Sequence, residues 1–537
     1  MYKGDLFVMQ PIDHNIREAI LEQNGNIAIS ASAGTGKTHT TVLKIIQEKS
    51  ENKDYHTFAA ITFTRKAAKE IMARLGTNVE DGFVGTNDNF VLREIIQPFM
   101  YDVYGLEFKK EIIPDYSNEK VFNSFDKGIS IIKDNGFLCK HSNPHNNFSF
   151  QLALKILQGS RAAREYLKSK YYRIYIDEYQ DSDVDMHSFF MYICKDMGIP
   201  IFIVGDIKQS IYGWRGGYKE GFKQIIADSG NFRIFKLRHN FRSNIAIQNY
   251  SNMFMDDVRD QFQVYHFKSE IIGYAFKNRT YAGSYINEWI KLQEDCAFLV
   301  RRNEDAVIWS NLLSKFGLDF KYLPTSPIEN PNLESEHIWI ARVLAYYILQ
   351  DRFSEYDVVS EIPASDSYNF KELKLQLLSI KSCLADEKEF INKCIELYKY
   401  LQYESSEKIE RECNILYSVV CDPLYEATYN SQKYKHIIST IHASKGLEYK
   451  QVIIQASDYN LNIDEDKDLH YVAVSRPQNR LLIVIDYNTY NGKNYIREIS
   501  RDVNKTNLLG YKISLSDVIT GINSPEFVPK NNEVGVT

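Results

Sequence analysis

With 537 residues, 44% of them hydrophobic and 25% charged, the chain has the composition of a soluble globular protein and is too long for one core. At roughly 150 residues per domain it is sized for three or four units. The net charge of −6 excludes a uniformly basic surface but leaves room for a local basic channel. Seven cysteines without a C-x-x-C pair argue for reduced thiols, a cytoplasmic protein and no zinc site. No run reaches the ~18 apolar residues of a membrane span, and the amino terminus lacks an export signal.

The first strand-like run, "NIAIS", leads into "ASAGTGKTH", and apolar residues at helical spacing follow in "VLKIIQEK". A strand-to-helix junction of this kind suits a polyphosphate. Gly34 and Gly36 let the backbone approach closely and turn its N–H groups inward, and the new helix adds its positive end. The phosphate loop is read as Ala31, Ser32, Ala33, Gly34, Thr35, Gly36, Lys37, Thr38 and His39. Lys37 would reach the terminal phosphates of ATP, and Thr38 would offer its hydroxyl to Mg2+. Ala31 stands where the strict pattern has its first glycine.

Next come "FAAITFT" and "RKAAKEIMARL", then a mixed stretch, residues 92–168, expected to be a mostly helical insertion. "YRIYIDE", "HSFFMYICKDM" and "IFIVGD" resume the alternation that marks a parallel sheet wrapped by helices. The first α/β domain is therefore assigned to residues 1–91 and 169–230.

"RIYIDEYQD" ends a strand with Asp177 and Glu178 side by side. At the carboxyl edge of a parallel sheet, Asp177 can hold Mg2+ and Glu178 can orient or deprotonate an attacking water. Adjacent acids also occur on solvated loops; a phosphate loop in the same domain favours the catalytic reading. In "VGDIKQSIYGWRGG", Gln209 sits where a neutral donor could sense a terminal phosphate. Tyr212, Trp214 and Arg215, flanked by glycines, form either a base-stacking platform or a patch covered by another domain.

A second series begins at "FRIFKL" and continues through "DCAFLVRR", "KHIISTIH", "QVIIQ" and "RLLIVID". It predicts a second parallel sheet over residues 231–334 and 431–500, interrupted by a helical insertion at 335–430. Residues 501–537 read as a tail of weak periodicity.

Eight motifs in order, "ASAGTGKT", "ITFTRKAAKEI", "VGTNDNF", "IDEYQD", "VGDIKQSIYGWRGG", "LRHNFRS", "STIHASKGLEY" and "LHYVAVSR", resemble the superfamily 1 helicases of the UvrD, Rep and PcrA type. The resemblance implies two RecA-like P-loop domains, each a parallel sheet with a helical insertion, ATP and Mg2+ between them, and 3′-to-5′ movement on single-stranded DNA. It assigns Phe63, Thr64, Thr86 and His442 to the DNA track, Phe241 to a stack on adenine, and Glu448 to the link between track and nucleotide. Arg242 and Arg476 become arginines that reach the γ-phosphate, where structural ion pairs are the alternative. Two positions depart from the pattern: Ile16 replaces the adenine-reading glutamine, and Asp88 replaces a histidine of the DNA track. The short insertions also resemble the helicase-like subunits of Gabija antiphage systems, which implies an OLD-type nuclease as partner. The rival expectation is a nucleotide-gated sensor of DNA ends that does little unwinding.

Overall fold

The computed structural model describes residues 10–108, 112–115, 121–213, 216–264, 270–329, 335, 337–350, 352–362 and 368–521. Among the described residues no helix is long and apolar enough to cross a membrane.

Eight strands belong to the first half of the chain: β1 (Ile27–Ala31), β2 (Thr57–Thr62), β3 (Phe83–Thr86), β4 (Ile113–Asp115), β5 (Phe137–Cys139), β6 (Tyr171–Ile176), β7 (Ile201–Gly205) and β8 (Arg233–Leu237). Six of them form a parallel sheet in the order β3-β2-β6-β7-β1-β8. β1, β6 and β7 are buried almost throughout, as expected of central parallel strands covered by helices on both faces. β4 and β5 pair with each other inside the insertion, which is otherwise helical, with helices such as Phe148–Gly159 and Arg161–Lys170.

The second half supplies β9 (Ile271–Phe276), β10 (Cys296–Val300), β11 (Lys321–Tyr322), β12 (His436–Thr440), β13 (Tyr449–Gln455) and β14 (Pro477–Asp486). They form a second parallel sheet, β11-β12-β10-β13-β14-β9. Its insertion is a cluster of helices, Ile338–Leu349 to Pro423–Tyr429, with a core of its own.

Two sequence expectations need correction. "FRIFKL" does not open the second sheet. It is β8, which pairs in parallel with β1 from Ile27↔Arg233 to Ala31↔Leu237. Its exposed Arg233 and Lys236 suit an edge strand, and the chain passes to the second lobe only after it, over residues 238–243. Nor does a tail begin at 501. The helix Tyr490–Asn507 runs through that position, Asp502 is buried against Arg259, and Thr520 bridges to Ile272 beside β9. Residues 522–537 lie outside the described residues.

A candidate nucleotide cleft and an adjoining groove

The phosphate loop leaves the carboxyl end of β1 and enters the helix Lys37–Glu51. Gly34 and Gly36 have φ of +72° and +77°, the left-handed region that a side chain disfavours. A Cβ on Gly34 would lie 2.5 Å from Asn240 Oδ1 and 2.8 Å from Arg242 Cβ, so only glycine admits this approach. Thr35 is fully buried and donates its hydroxyl to the Ser32 carbonyl at 2.9 Å. Ala31 and Ala33 are buried, His39 is exposed, and Ala33 N–H donates across the cleft to the Tyr471 hydroxyl at 3.3 Å.

Asp177 and Glu178 follow β6, at the same sheet edge. Thr38 Oγ1 donates to Asp177 Oδ2 at 3.0 Å, which joins a hydroxyl and a carboxylate from two elements. Hard oxygen donors so placed fit Mg2+, which takes one or two protein oxygens and completes its shell with phosphate and water. Burial and repulsion from Glu178 raise the Asp177 pKa, against the pull of Lys37 and Thr38. For Glu178 burial also pushes upward, but Lys37, Lys445, Gln180 and Arg476 outweigh it and hold the carboxylate ionised. Lys37 Nζ stands 3.9 Å from Glu178 Oε1. Glu178 itself has φ of 54°, a strained value for a residue with a side chain and of the kind that gathers at functional sites.

Gln209 follows β7 and donates to Asp206 at 2.7 Å. Its carbonyl oxygen accepts from Arg476 at 3.3 Å, across the cleft. Arg476, 1% exposed, also donates to the carbonyls of Val472 and Leu447. Burial, then the nearby Arg242 charge, lowers its pKa to about 9, still protonated at neutral pH. Arg242 is less enclosed; it donates to Glu448 at 2.9 Å and to the Ser475 carbonyl at 3.2 Å. Phe241 is 57% exposed and donates its N–H to the Gly34 carbonyl at 2.9 Å, which leaves a ring face open beside the loop. Phosphate-loop backbone, two carboxylates and an amide from one lobe thus face two arginines anchored on the other.

A family model for an AAA domain matches residues 16–215, and one for a UvrD-like helicase C-terminal domain matches residues 349–488. Gabija protein GajB of Bacillus cereus (strain VD045) is 36% identical over 498 residues, 92% of this chain and 99% of that protein. The chain belongs to the GajB family of UvrD-like helicases. ATP-dependent DNA helicase Rep of Buchnera aphidicola is similar at 22% identity, over 87% of this chain and 90% of that protein. DNA helicase II of Salmonella typhimurium (strain LT2) is 24% identical over 47% of this chain and 41% of that helicase.

Beside the GajB-family cleft runs a groove of about 1220 Å³ between the first lobe and the second insertion. Phe63, Thr64 and Thr86 line it, with Arg65, Lys66, Lys69, Arg93 and Arg342 against the acids Asp88 and Glu329. A net acidic protein therefore holds a locally basic channel. Thr64 caps the helix Arg65–Leu75 and Thr86 the short helix Asn87–Val91, so both stand where a helix begins at the sheet edge. Burial raises the Asp88 pKa against Lys140 and Arg65. The Phe63 ring stacks on Tyr212 at 5.9 Å, and Tyr212 lies 6.0 Å from the His442 ring. Trp214 and Arg215 lie outside the described residues. Ile16 is half-buried and packs against the core cluster that includes Ile27, Ile29 and Ala31 of β1.

Motif reading missed four residues. Lys445, in "HASKGLEY", reaches Asp181 at 2.5 Å and the Gln209 carbonyl at 2.8 Å. Its lysine-glycine pair was visible, but not its target. Tyr471, in "LHYVAVSR", lies buried on the helix Asp464–Val474, and nothing in the motif names its partner on the phosphate loop. Asp13 and Arg17 are a carboxylate and a guanidinium at i, i+4, a spacing that predicts their ion pair and nothing of its location.

Proposed function

We propose that the chain hydrolyses ATP with Mg2+ in the cleft and uses cleft closure to move 3′ to 5′ along single-stranded DNA. The observation that carries this is the meeting of Lys37, Thr38, Asp177, Glu178 and Gln209 of one lobe with Arg242 and Arg476 of the other. Loop N–H groups and Lys37 cradle the phosphates. Thr38 and Asp177 are the residues that would hold Mg2+, and the bound ion would supply countercharge to the polyphosphate. Glu178, kept ionised, orients the attacking water and takes its proton, with Gln209 beside it. Arg242 and Arg476 meet the charge that builds on the transferring phosphoryl group, a role worth roughly 10³–10⁵ in rate. Phe241 offers its exposed face to the base. DNA lies along the basic groove over Phe63, Thr64 and Thr86, with Tyr212 and His442 next to Phe63, and Glu448 couples the groove to Arg242.

The relative named Gabija protein GajB supports a place in a Gabija complex; an antiphage role, with an OLD-type nuclease docking on the insertion at 335–430, is part of the same proposal. Strand displacement on a 3′-tailed duplex, with a streptavidin block on the tail, tests the motor. Lys37→Ala should weaken ATP binding, whereas Glu178→Gln should bind ATP and stall. DNA-stimulated ATPase without streptavidin displacement or unwinding would replace the motor by the sensing subunit.

A further inference from the structure

The helix His14–Glu22 begins after Asp13, yet Asp13 spends no side-chain hydrogen bond on capping it. Its carboxylate is 3% exposed and is used elsewhere. Oδ1 accepts from Arg17 Nε at 2.8 Å, and Oδ2 accepts the N–H groups of Arg238 at 2.8 Å and His239 at 3.0 Å. Those two residues open the segment 238–243 that joins the lobes and carries Phe241 and Arg242. Arg17 completes the junction. Its Nη2 donates to the Thr35 carbonyl of the phosphate loop at 2.9 Å, and its Nη1 to Thr40 Oγ1 on the following helix at 3.2 Å. The guanidinium lies 5.0 Å from the Phe241 ring centroid, supporting that ring from the protein side.

One part-buried ion pair therefore touches the phosphate loop, the base-facing ring and the backbone leading to Arg242. A planar fork can hold all three at once; an ammonium is a point charge and cannot. We propose that Arg17, oriented by Asp13, is a positioning residue for nucleotide hydrolysis, one that fixes segment 238–243 against the phosphate loop. Without it, the loop loses a support at Thr35, the Phe241 ring loses its backing, and Arg242 loses its registration to the transferred phosphate. Binding and turnover should then both suffer, although Arg17 need not touch the nucleotide. The inference rests on the ATPase reading above.

Michaelis curves for DNA-stimulated ATP hydrolysis by the full chain test it, with wild type, Arg17→Met, Arg17→Lys, Asp13→Asn and a Lys37→Ala control, each with a thermal melt. Lost charge-assisted hydrogen bonds predict KM raised and kcat lowered by a combined factor of about 10 to 100 in Arg17→Met and Asp13→Asn. Arg17→Lys should melt near wild type yet keep a raised KM, a separation that a merely structural role would not produce. If Arg17→Met does not fold, Arg17→Lys and Asp13→Asn decide. Wild-type KM and kcat in those two variants, with an active parent, overturn the positioning role alone, whatever the melts show. A parent no faster than Lys37→Ala overturns the ATPase reading and this inference together.

Discussion

Lys445 of the second lobe places its ammonium 2.5 Å from Asp181 of the first, and the same ammonium lies 5.0 Å from the Tyr212 ring. One cation thus connects the ring that stacks on groove-lining Phe63 with a buried carboxylate of the first lobe. Glu178 also feels its charge.

If this contact relays DNA occupancy to the cleft, Lys445→Met should abolish most DNA stimulation of ATPase while DNA-free turnover changes much less. Removing one partner of a buried pair also costs stability, about 3–5 kcal/mol by precedent, so melts accompany the assay. Undiminished stimulation in a folded Lys445→Met protein would reject the relay.

Asp177 leads to a pH prediction. Its folded pKa is raised above the unfolded value, so the folded state binds its proton more tightly than the unfolded state does. This group's contribution to stability is therefore full below the unfolded pKa and is lost as pH rises through the folded one. Asp177→Asn should accordingly stabilise the metal-free protein at pH 7, by on the order of 1 kcal/mol, and gain nothing near pH 3 to 4. The same substitution should remove Mg2+-dependent turnover. Denaturation midpoints across pH check the first claim; a constant offset at all pH values would contradict it.

The two arginines are not equivalent. Arg242 hydrogen-bonds at the cleft rim, whereas Arg476 is 1% exposed and also holds the Val472 and Leu447 carbonyls. Arg242→Ala should lower kcat by about 10³ with little change in melting. Arg476→Ala should lower both, because it leaves buried acceptors unpaired. Steady-state kinetics beside calorimetry separate these outcomes, and equal effects on both readouts for the two variants would refute the distinction.

For the groove, Tyr212→Ala removes the partner of Phe63. Single-strand binding should weaken by about 1–3 kcal/mol, the range for a base–aromatic stack. Affinity should fall with salt at a log–log slope near −0.7 per phosphate contact, and Lys66→Ala should make that slope shallower. Fluorescence titration of a labelled oligonucleotide at several salt concentrations measures both. Wild-type affinity in Tyr212→Ala would remove this wall from the DNA path.

The first-lobe half of the candidate site, which the structure brings to one sheet edge, was legible because its parts are contiguous. "ASAGTGKT" and "IDEYQD" each combine a strand, its carboxyl edge and the reactive side chains within a few residues, and local geometry carries them to one sheet edge. The strand β8 was not assigned correctly, since a short apolar run does not state its neighbour; only pairing with β1 placed it in the first sheet. The strand β9, "IIGYAF", carries a glycine mid-run and was not read as a strand, and the helix Tyr490–Asn507 was read from position 501 as a tail because few apolar residues mark its buried face.

By itself the sequence determined two parallel α/β sheets with helical insertions, a phosphate loop, an acid pair and the order of the helicase motifs. Tertiary structure alone decided which groups meet: Asp13 with the interlobe segment, Lys445 with Asp181, Arg476 with Gln209, Tyr471 with the phosphate-loop backbone. Strand and loop conformations follow from near neighbours in the chain. A contact between residues hundreds of positions apart depends instead on how two separately folded sheets are packed, and no local spacing encodes that distance.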